Sequence, residues 1–250
     1  MLTDQRHTHL LDRLRREGQI VAKTEAEALG VSEDTIRRDL RDLAGQGLLK
    51  RVHGGAMPVV PDLPDFSTRR GLASQEKRAL GVACAAMVEP GQLVFLDGGS
   101  TTAEIARALP ANIALTIATH SPTIATAFEH HANVEVILIG GRLYKHSMVA
   151  VGTEAATAIA RLRPDIFFLG ATAVHPLHGL STGDFEEAAI KRQIASASGE
   201  TYVPLTAEKF DRVSPCIILP LSGISGIVVT GDAGERMAPY RAAGVAIIAR

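Results

Sequence analysis

The groups best suited to chemistry are three guanidiniums on one short stretch and a run of glycines and hydroxyls on another. In VSEDTIRRDLRDL, residues 31–43, winding the chain at 100° per residue puts Arg37, Arg38 and Arg41 on one side with Asp34. Ile36, Leu40 and Leu43 fall on the other. A guanidinium donates two parallel hydrogen bonds from a rigid fork, which fits a phosphate or the edge of a guanine. That is the chemistry of a helix laid in the major groove of DNA, although the three arginines alone would equally suit a solvated surface helix. The second stretch is DGGSTT, residues 97–102. Gly98 and Gly99 permit positive φ and close approach of a ligand to the backbone, while Ser100, Thr101 and Thr102 supply hydroxyls. A helix following them presents free amides and the positive end of its dipole. Together they make an anion cradle, with phosphate the natural occupant and Asp97 able to accept from sugar hydroxyls. The run is neither GxGxxG nor a Walker loop, so nucleotide binding is not supported. A plain strand-to-helix turn with a Ser/Thr cap is the competing reading.

The elements around the arginines decide between groove and surface. Ser32 is a good N-cap for a helix over 33–45, because its hydroxyl accepts an orphan amide hydrogen of the first turn. Upstream, Leu10 to Leu14 lie in a helix that Thr3 can cap and Gly18 ends. KTEAEALG, 23–30, is a short helix closed by Gly30, and the turn Gly30-Val31-Ser32 leads into the arginine helix. This is the helix-turn-helix order. Downstream, LLKRVHGGA, 48–56, mixes apolar and basic residues before a glycine pair, as a small β-wing would, with Lys50, Arg51 and His53 available to the DNA backbone. The expected DNA contacts are Ser32, Asp34, Thr35, Arg37, Arg38 and Arg41, with Arg51 and His53 on the wing.

Composition neither adds to this nor opposes it. The 250 residues are 46% hydrophobic and 21% charged, with a net charge of −1, as in an ordinary globular protein. Residues 1–56 hold ten Lys and Arg against nine Asp and Glu, so the case for DNA rests on where the charges sit. Binding through such a patch should depend strongly on salt. Cys84 and Cys216 are isolated, which suggests buried inert thiols and neither a zinc site nor a disulfide. No apolar run reaches the 18 residues needed to span a bilayer, and the chain opens on charged helix without a signal-peptide pattern, so no membrane role and a cytoplasmic location are expected.

Residues 57–72, MPVVPDLPDFSTRRGL, break helical periodicity with three prolines and read as a linker. Beyond them helices alternate with apolar strands: helix 74–88, strand QLVFLD, helix 103–109, strand IALTIAT, helix 122–131, strand VEVILIG, helix 153–162, strand DIFFLG, helix 185–198 and strand TYVPLT. Shorter strands follow at about 216–220, 225–229 and 244–248. Continuous apolar strands separated by helices argue for a parallel sheet covered on both faces. Ligands bind such sheets beyond the carboxyl ends of the strands. There lie Asp97 to Thr102, Thr119 to Ser121, Gly140 to Arg142 and the residues from Ala171.

TIRRDL followed by GLLKRVHGGA resembles the N-terminal module of the DeoR family of bacterial transcriptional regulators, over about the first 56 residues. DGGSTT, LIGGRL (138–143), FLGA (168–171), HGLST (178–182) and EAAIKR (187–192) resemble that family's sensor domain, so the likeness covers nearly the whole chain. It implies a winged helix whose helix 33–45 enters the major groove. It also implies a sensor similar to sugar-phosphate isomerases such as ribose-5-phosphate isomerase, which responds to a phosphorylated sugar or related metabolite. By position, it implies ligand contacts from Glu76, Lys77, Asp97, Gly98, Gly99, Ser100, Thr101, Thr102, Gly140, Gly141, Gly152, Lys191 and Lys209. From the residues alone, Lys77 and Lys191 also fit solvated helix faces, and His120 and the pair His130-His131 fit caps or surface positions as well as ligands. Two departures stand out. Thr206 occupies the first position of the family's Asp-x-x-Lys-Phe, with Glu208 near it, and Thr119-His120-Ser121 replaces Thr-Asn-Ser.

The expected fold is α/β: an N-terminal winged helix-turn-helix (1–57), a linker (58–72) and a parallel-sheet, Rossmann-like and ribose-5-phosphate-isomerase-like sensor that also oligomerises (73–250). The expected function is a sequence-specific repressor of a carbohydrate-metabolism operon, binding double-stranded operator DNA as a homo-oligomer, dimer or tetramer. A phosphorylated sugar would control it, with no catalytic residue, metal or cofactor. Two half-sites require more than one recognition helix. An active sugar-phosphate isomerase carrying a DNA-binding module, with Asp97 and Lys191 or Lys209 as its acid–base groups, is the alternative. A third possibility is a helix-turn-helix used only for protein contact.

Overall fold

The structure is a computed structural model that describes residues 2–59, 64–72, 74–231 and 234–250. Its N-terminal part comprises α1 (Thr3–Glu17), β1 (Ile20–Val21), α2 (Ala22–Leu29), α3 (Glu33–Gly45), β2 (Lys50–Val52) and β3 (Gly55–Met57). Leu10, Leu14, Ile20, Ala26, Ile36, Leu40, Leu43 and Leu49 close one small core between them. The strands pair antiparallel in the order β1–β3–β2, which makes the wing. Thr3 does not cap α1; it is the first helical residue, and the amide of Leu2 ahead of it donates to Gln5 Oε1 at 3.3 Å. Ser32 does cap α3, its Oγ accepting from the Thr35 amide at 3.2 Å. An ion pair hidden from sequence periodicity ties α1 to α3: Arg6 donates from Nε and Nη2 to the buried carboxylate of Asp39 at 2.6 and 2.9 Å. Ser32→Ala should cost about 1 kcal/mol of stability through the lost cap. Urea unfolding followed by circular dichroism would show this as a lower midpoint; an unchanged midpoint would mean the cap contributes nothing.

Within the proline-rich 57–72 stretch the chain forms a helix that composition concealed, α4 (Phe66–Gly71). The prolines all precede it, and Asp65 caps it, Oδ1 accepting from the Thr68 amide at 2.9 Å. Residues 60–63 of the stretch lie outside the described residues.

The remainder runs α5 (Ser74–Ala85), β4 (Leu93–Leu96), α6 (Ser100–Ala108), β5 (Leu115–Thr119), α7 (Pro122–Ala125), β6 (Val134–Leu138), β7 (Arg142–Tyr144), β8 (Val149–Val151), α8 (Thr153–Ile159), β9 (Ile166–Phe168), β10 (Ala173–His175), β11 (Gly179–Thr182), α9 (Phe185–Ala197), β12 (Glu200–Pro204), β13 (Cys216–Leu219), β14 (Gly226–Val229), α10 (Ala238–Ala242) and β15 (Ala246–Ala249). Seven strands form one parallel sheet in the order β15-β14-β12-β9-β4-β5-β6. Alternate side chains enter two cores, Phe95, Phe167 and Val203 on one face and Val94, Leu96, Ile117 and Phe168 on the other. From β4 the chain winds outward to β6, returns to β9 on the other side of β4, and winds outward again to β15. The sheet's topological switch point therefore lies between β4 and β9, where ligands bind in such sheets.

The strand expected at 216–220 is not part of this sheet. As β13 it pairs antiparallel with β11, which forms a hairpin with β10, while β7 and β8 form a separate hairpin after β6. Both hairpins overhang the carboxyl ends of the main strands. Cys84 is buried, which pushes its thiol up to about 12, whereas Cys216 is only half-buried, contrary to expectation. Among the described residues no helix is long and apolar enough to cross a membrane, and no cluster of His, Cys, Asp and Glu is disposed to hold a metal ion.

Candidate DNA-binding face and anion pocket

Burial of Ile36, Leu40 and Leu43 turns Arg37, Arg38 and Arg41 outward along α3, with Asp34 also exposed. Arg37 pairs with Glu33 Oε1 one turn earlier, at 2.7 Å. Such an exposed pair is worth a few tenths of a kcal/mol and is easily exchanged for a phosphate. Arg37 shares a shallow cleft with Arg51 and His53, so helix and wing offer cations on one face. Ser32 and Thr35 bond to each other through their hydroxyls, 2.8 Å apart, at the start of the helix.

The second site lies at the switch point. A cavity of about 160 Å³ opens beyond the ends of β4, β9 and β12, and the N-terminus of α6 forms its floor. Ser100, Thr101 and Thr102 lie within the first turn of α6, three residues earlier than the helix expected at 103–109. Their amide hydrogens have no acceptor within the helix, which is the usual basis of anion binding there. Gly99 takes φ 142, a conformation that side chains disfavour. A Cβ at Gly98 would meet Val149 Cγ1 at 2.0 Å, so only glycine lets the β7–β8 hairpin close over the loop. Of the positions implied as ligand contacts, Lys77, Gly98, Gly99, Ser100, Thr101, Thr102, Lys191 and Lys209 line the cavity. Glu76, Asp97, Gly140, Gly141 and Gly152 are not part of its lining, and Glu76 accepts from the Ala207 amide at 2.9 Å.

Asp97, read as an acceptor for sugar hydroxyls, is instead sealed beneath the cavity with 0% exposure. Oδ1 accepts from the Gly98 amide at 2.8 Å and His120 Nε2 at 2.9 Å; Oδ2 accepts from the Gly170 amide at 2.8 Å and Lys191 Nζ at 2.5 Å. Burial alone would raise the carboxyl's pKa, but the Lys191 ammonium and His120 override it and hold the group down at about 2. Lys191 also donates to the Gly170 carbonyl at 2.8 Å and lies 3.2 Å from Glu187 Oε1. Burial opposes its charge, yet the two carboxylates keep its pKa above the ordinary lysine value. The solvated-face reading of Lys191 is therefore wrong: it is 1% exposed. Glu187 was not singled out from the sequence; it lines the cavity and accepts from Thr182 Oγ1 at 3.0 Å. His120 is a buried strut whose other ring nitrogen faces the Ala150 carbonyl at 2.9 Å. Thr206 is buried and donates to Glu208 Oε1 at 2.6 Å, and Glu208 lines the cavity, so a carboxylate reaches this wall from two residues beyond the altered position.

The balance of charge is cationic. Arg69, Lys77, Lys191, Lys209 and Arg212 line the cavity against Glu187 and Glu208. Burial, reinforced by the charges of Arg69, Lys77 and Lys191, pushes Lys209 down to about 8. Neither Arg69 nor Arg212 stood out in the sequence.

Known proteins resemble the chain along its length. The model of the DeoR-like helix-turn-helix domain matches residues 6–59, and that of the DeoR C-terminal sensor domain matches residues 72–231. The HTH-type transcriptional regulator GlpR of Haloferax volcanii is 33% identical over 89% of this chain and 88% of its own. The glycerol-3-phosphate regulon repressor of Escherichia coli is 29% identical over 85% of this chain and 84% of its own. Among solved structures, ribose 5-phosphate isomerase A of Methanocaldococcus jannaschii is similar over 55% of this chain and 54% of its own, with 16% identity and a TM-score of 0.41, too remote to bear on substrate or activity. With a sensor-domain match across most of its length, and a matching helix-turn-helix ahead of it, the chain belongs to the DeoR family of transcriptional regulators.

Proposed function

We propose that the protein is a sequence-specific DNA-binding repressor of a carbohydrate-use operon, released or engaged by a phosphorylated sugar or related anionic metabolite in the switch-point cavity. The observation that carries this reading is the excess of cations around the open first turn of α6, in the same chain as an arginine-bearing recognition helix. An anion cradle and a DNA-reading helix in one chain make a sensor coupled to an output. The relatives matched over most of their length are named regulators or repressors, one of them of a glycerol-3-phosphate regulon. An isomerase would need a carboxylate base open to substrate. Asp97, the expected candidate, has both oxygens occupied under the floor, and the carboxylates that do line the cavity are engaged, Glu187 by Lys191 and Thr182 and Glu208 by Thr206. Two half-sites call for an oligomer, and the ligand acts by preferring one arrangement of the recognition helices over another.

Anisotropy titration with DNA from upstream of the protein's own operon, repeated with pentose, hexose and triose phosphates, tests the whole reading. Sequence-dependent binding that one compound shifts is the expected result. Binding that none shifts would remove the phosphosugar, and absence of specific binding would remove the repressor.

Ligand affinity should fall as pH rises through about 8, where Lys209 loses its proton. A phosphate monoester has its second pKa near 6, so the ligand's own charge is constant above pH 7. An anion in the cavity favours the charged lysine, so binding between pH 7.5 and 9.5 should take up protons. Calorimetry in buffers of different ionisation enthalpy measures this uptake; affinity independent of pH over that interval would exclude Lys209 from the site.

A further inference from the structure

The cavity is not closed by the sensor domain alone. Pro64, Arg69 and Leu72, from the segment joining the winged helix to the sensor, line it together with the α6 turn. Two anchors hold α4 there. Lys77 Nζ donates to the carbonyls of Arg69 and Leu72 at 2.7 and 2.6 Å, completing the end of the helix. On the other side the His146 carbonyl, in the β7–β8 turn, accepts from the Phe66 amide and from Arg69 Nη2, both at 3.0 Å. The Arg69 side chain is thereby fixed against the cavity wall. Its Nε is nevertheless buried without a hydrogen-bond partner. A buried, charged donor left unsatisfied is costly, and sites of this kind are commonly completed by a ligand. Its neighbours in the lining, Lys77 and Lys209 with the hydroxyls of Ser100 to Thr102, are the partners an oxyanion would share with it.

We propose that Arg69 binds the effector's anionic group directly, so that the connecting helix α4 is part of the effector site and the ligand clamps it against α6. This rests on the reading of the cavity as a phosphate-type anion site, and adds how occupancy is transmitted. The segment that leads to the DNA-binding module becomes a wall of the pocket, and a ligand that holds it can bias the winged helix without a relay through the sheet. Its neighbour Arg70 is exposed and absent from the lining, which makes it the internal control.

Arg69→Gln and Arg70→Gln in the full-length protein would be compared with the native chain by calorimetry against inorganic phosphate, ribose 5-phosphate and glucose 6-phosphate. Hydrogen exchange of residues 64–72 in the native protein would be followed with and without the tightest of these. Loss of a charge-assisted hydrogen bond at Arg69 should weaken binding about tenfold to a hundredfold. Arg70→Gln should bind as the native chain does, and exchange over α4 should slow on binding. Equal affinity of Arg69→Gln and native protein would overturn the role of Arg69 and leave the anion pocket standing. If the native chain bound none of the three anions, the pocket reading would fail and this inference with it. Should Arg69→Gln not fold, the exchange experiment decides: protection of α4 on binding supports the clamp, and unchanged exchange refutes it.

Discussion

Asp97→Ala is expected to destabilise the sensor domain by about 3–5 kcal/mol, the usual cost of removing one partner from a buried ion pair. Asp97 receives four hydrogen bonds, from two backbone amides, an imidazole and an ammonium, and has no exposure to water. Truncation would leave Lys191 with Glu187 as its remaining carboxylate and would orphan His120 Nε2 and the Gly170 amide, which now tie the end of β4 to the ends of β5 and β9 respectively. Asp97→Asn keeps the shape but sets an NH2 group against donors on one side, so it should recover little of the loss. The pair also sets a dependence on acid. A carboxyl held at about 2 when folded, against an ordinary 3.8, contributes fully above pH 4 and loses that contribution as pH falls from about 4 to 2. The depression corresponds to about 2 kcal/mol. Urea unfolding at pH 7 and pH 3 would show both effects, and a loss below 1 kcal/mol for Asp97→Ala at pH 7 would mean that Asp97 does not organise the floor of the cavity.

The winged helix could be read closely because its signals are local. The Ser32 cap, glycines at the ends of α1 and α2, and 3.6-residue periodicity need no knowledge of the rest of the chain. The seven main strands were legible for a similar reason, as short and mainly apolar runs, even though β6 carries Glu135 and β12 opens on Glu200. What eluded the sequence depends on distant partners. β7, β8 and β10 have three residues each, too few for alternation to register, and they exist because the paired strand satisfies their backbone. β13 carries an apolar run like those of the main sheet but pairs with β11, a choice made by topology and not by composition. α4 was masked by prolines that sit just ahead of its cap, where they do no harm to a helix.

At the cavity the division is similar. DGGSTT announced itself because an anion cradle is built from consecutive residues. Lys191 also fitted a solvated helix face and Glu187, one turn earlier, drew no reading, yet a clue was present. Ala188, Ile190 and Ile194 fall on the same side of α9 and are buried with them, so the two charges stand on the apolar stripe where an unpaired charge could not remain. The fourfold use of Asp97 could not be foreseen, since its donors come from residues 98, 120, 170 and 191. Arg69 was hidden with its helix.

On the DNA side, the double substitution Arg37→Ala/Arg38→Ala should weaken operator binding by about two orders of magnitude at 0.15 M salt. A base-reading arginine is worth about 1–3 kcal/mol, roughly 5- to 150-fold, and a phosphate contact also lowers the salt slope by about 1. Both side chains are exposed and neither belongs to the buried cluster of Ile36 and Leu40, so their removal leaves the small core intact and the effect falls on DNA rather than folding. Each single variant separates the two roles. The one that reads a base relaxes preference at one operator position and keeps the salt dependence; the one that holds a phosphate weakens all sequences alike and flattens it. Arg37, which shares its cleft with Arg51 and His53 of the wing, is the one expected to act on the phosphates between helix and wing, and Arg38 the one expected to read a base. Affinity and salt slope measured by anisotropy on the operator and on a scrambled duplex separate these outcomes, and native-like values for the double variant would remove α3 from the DNA interface.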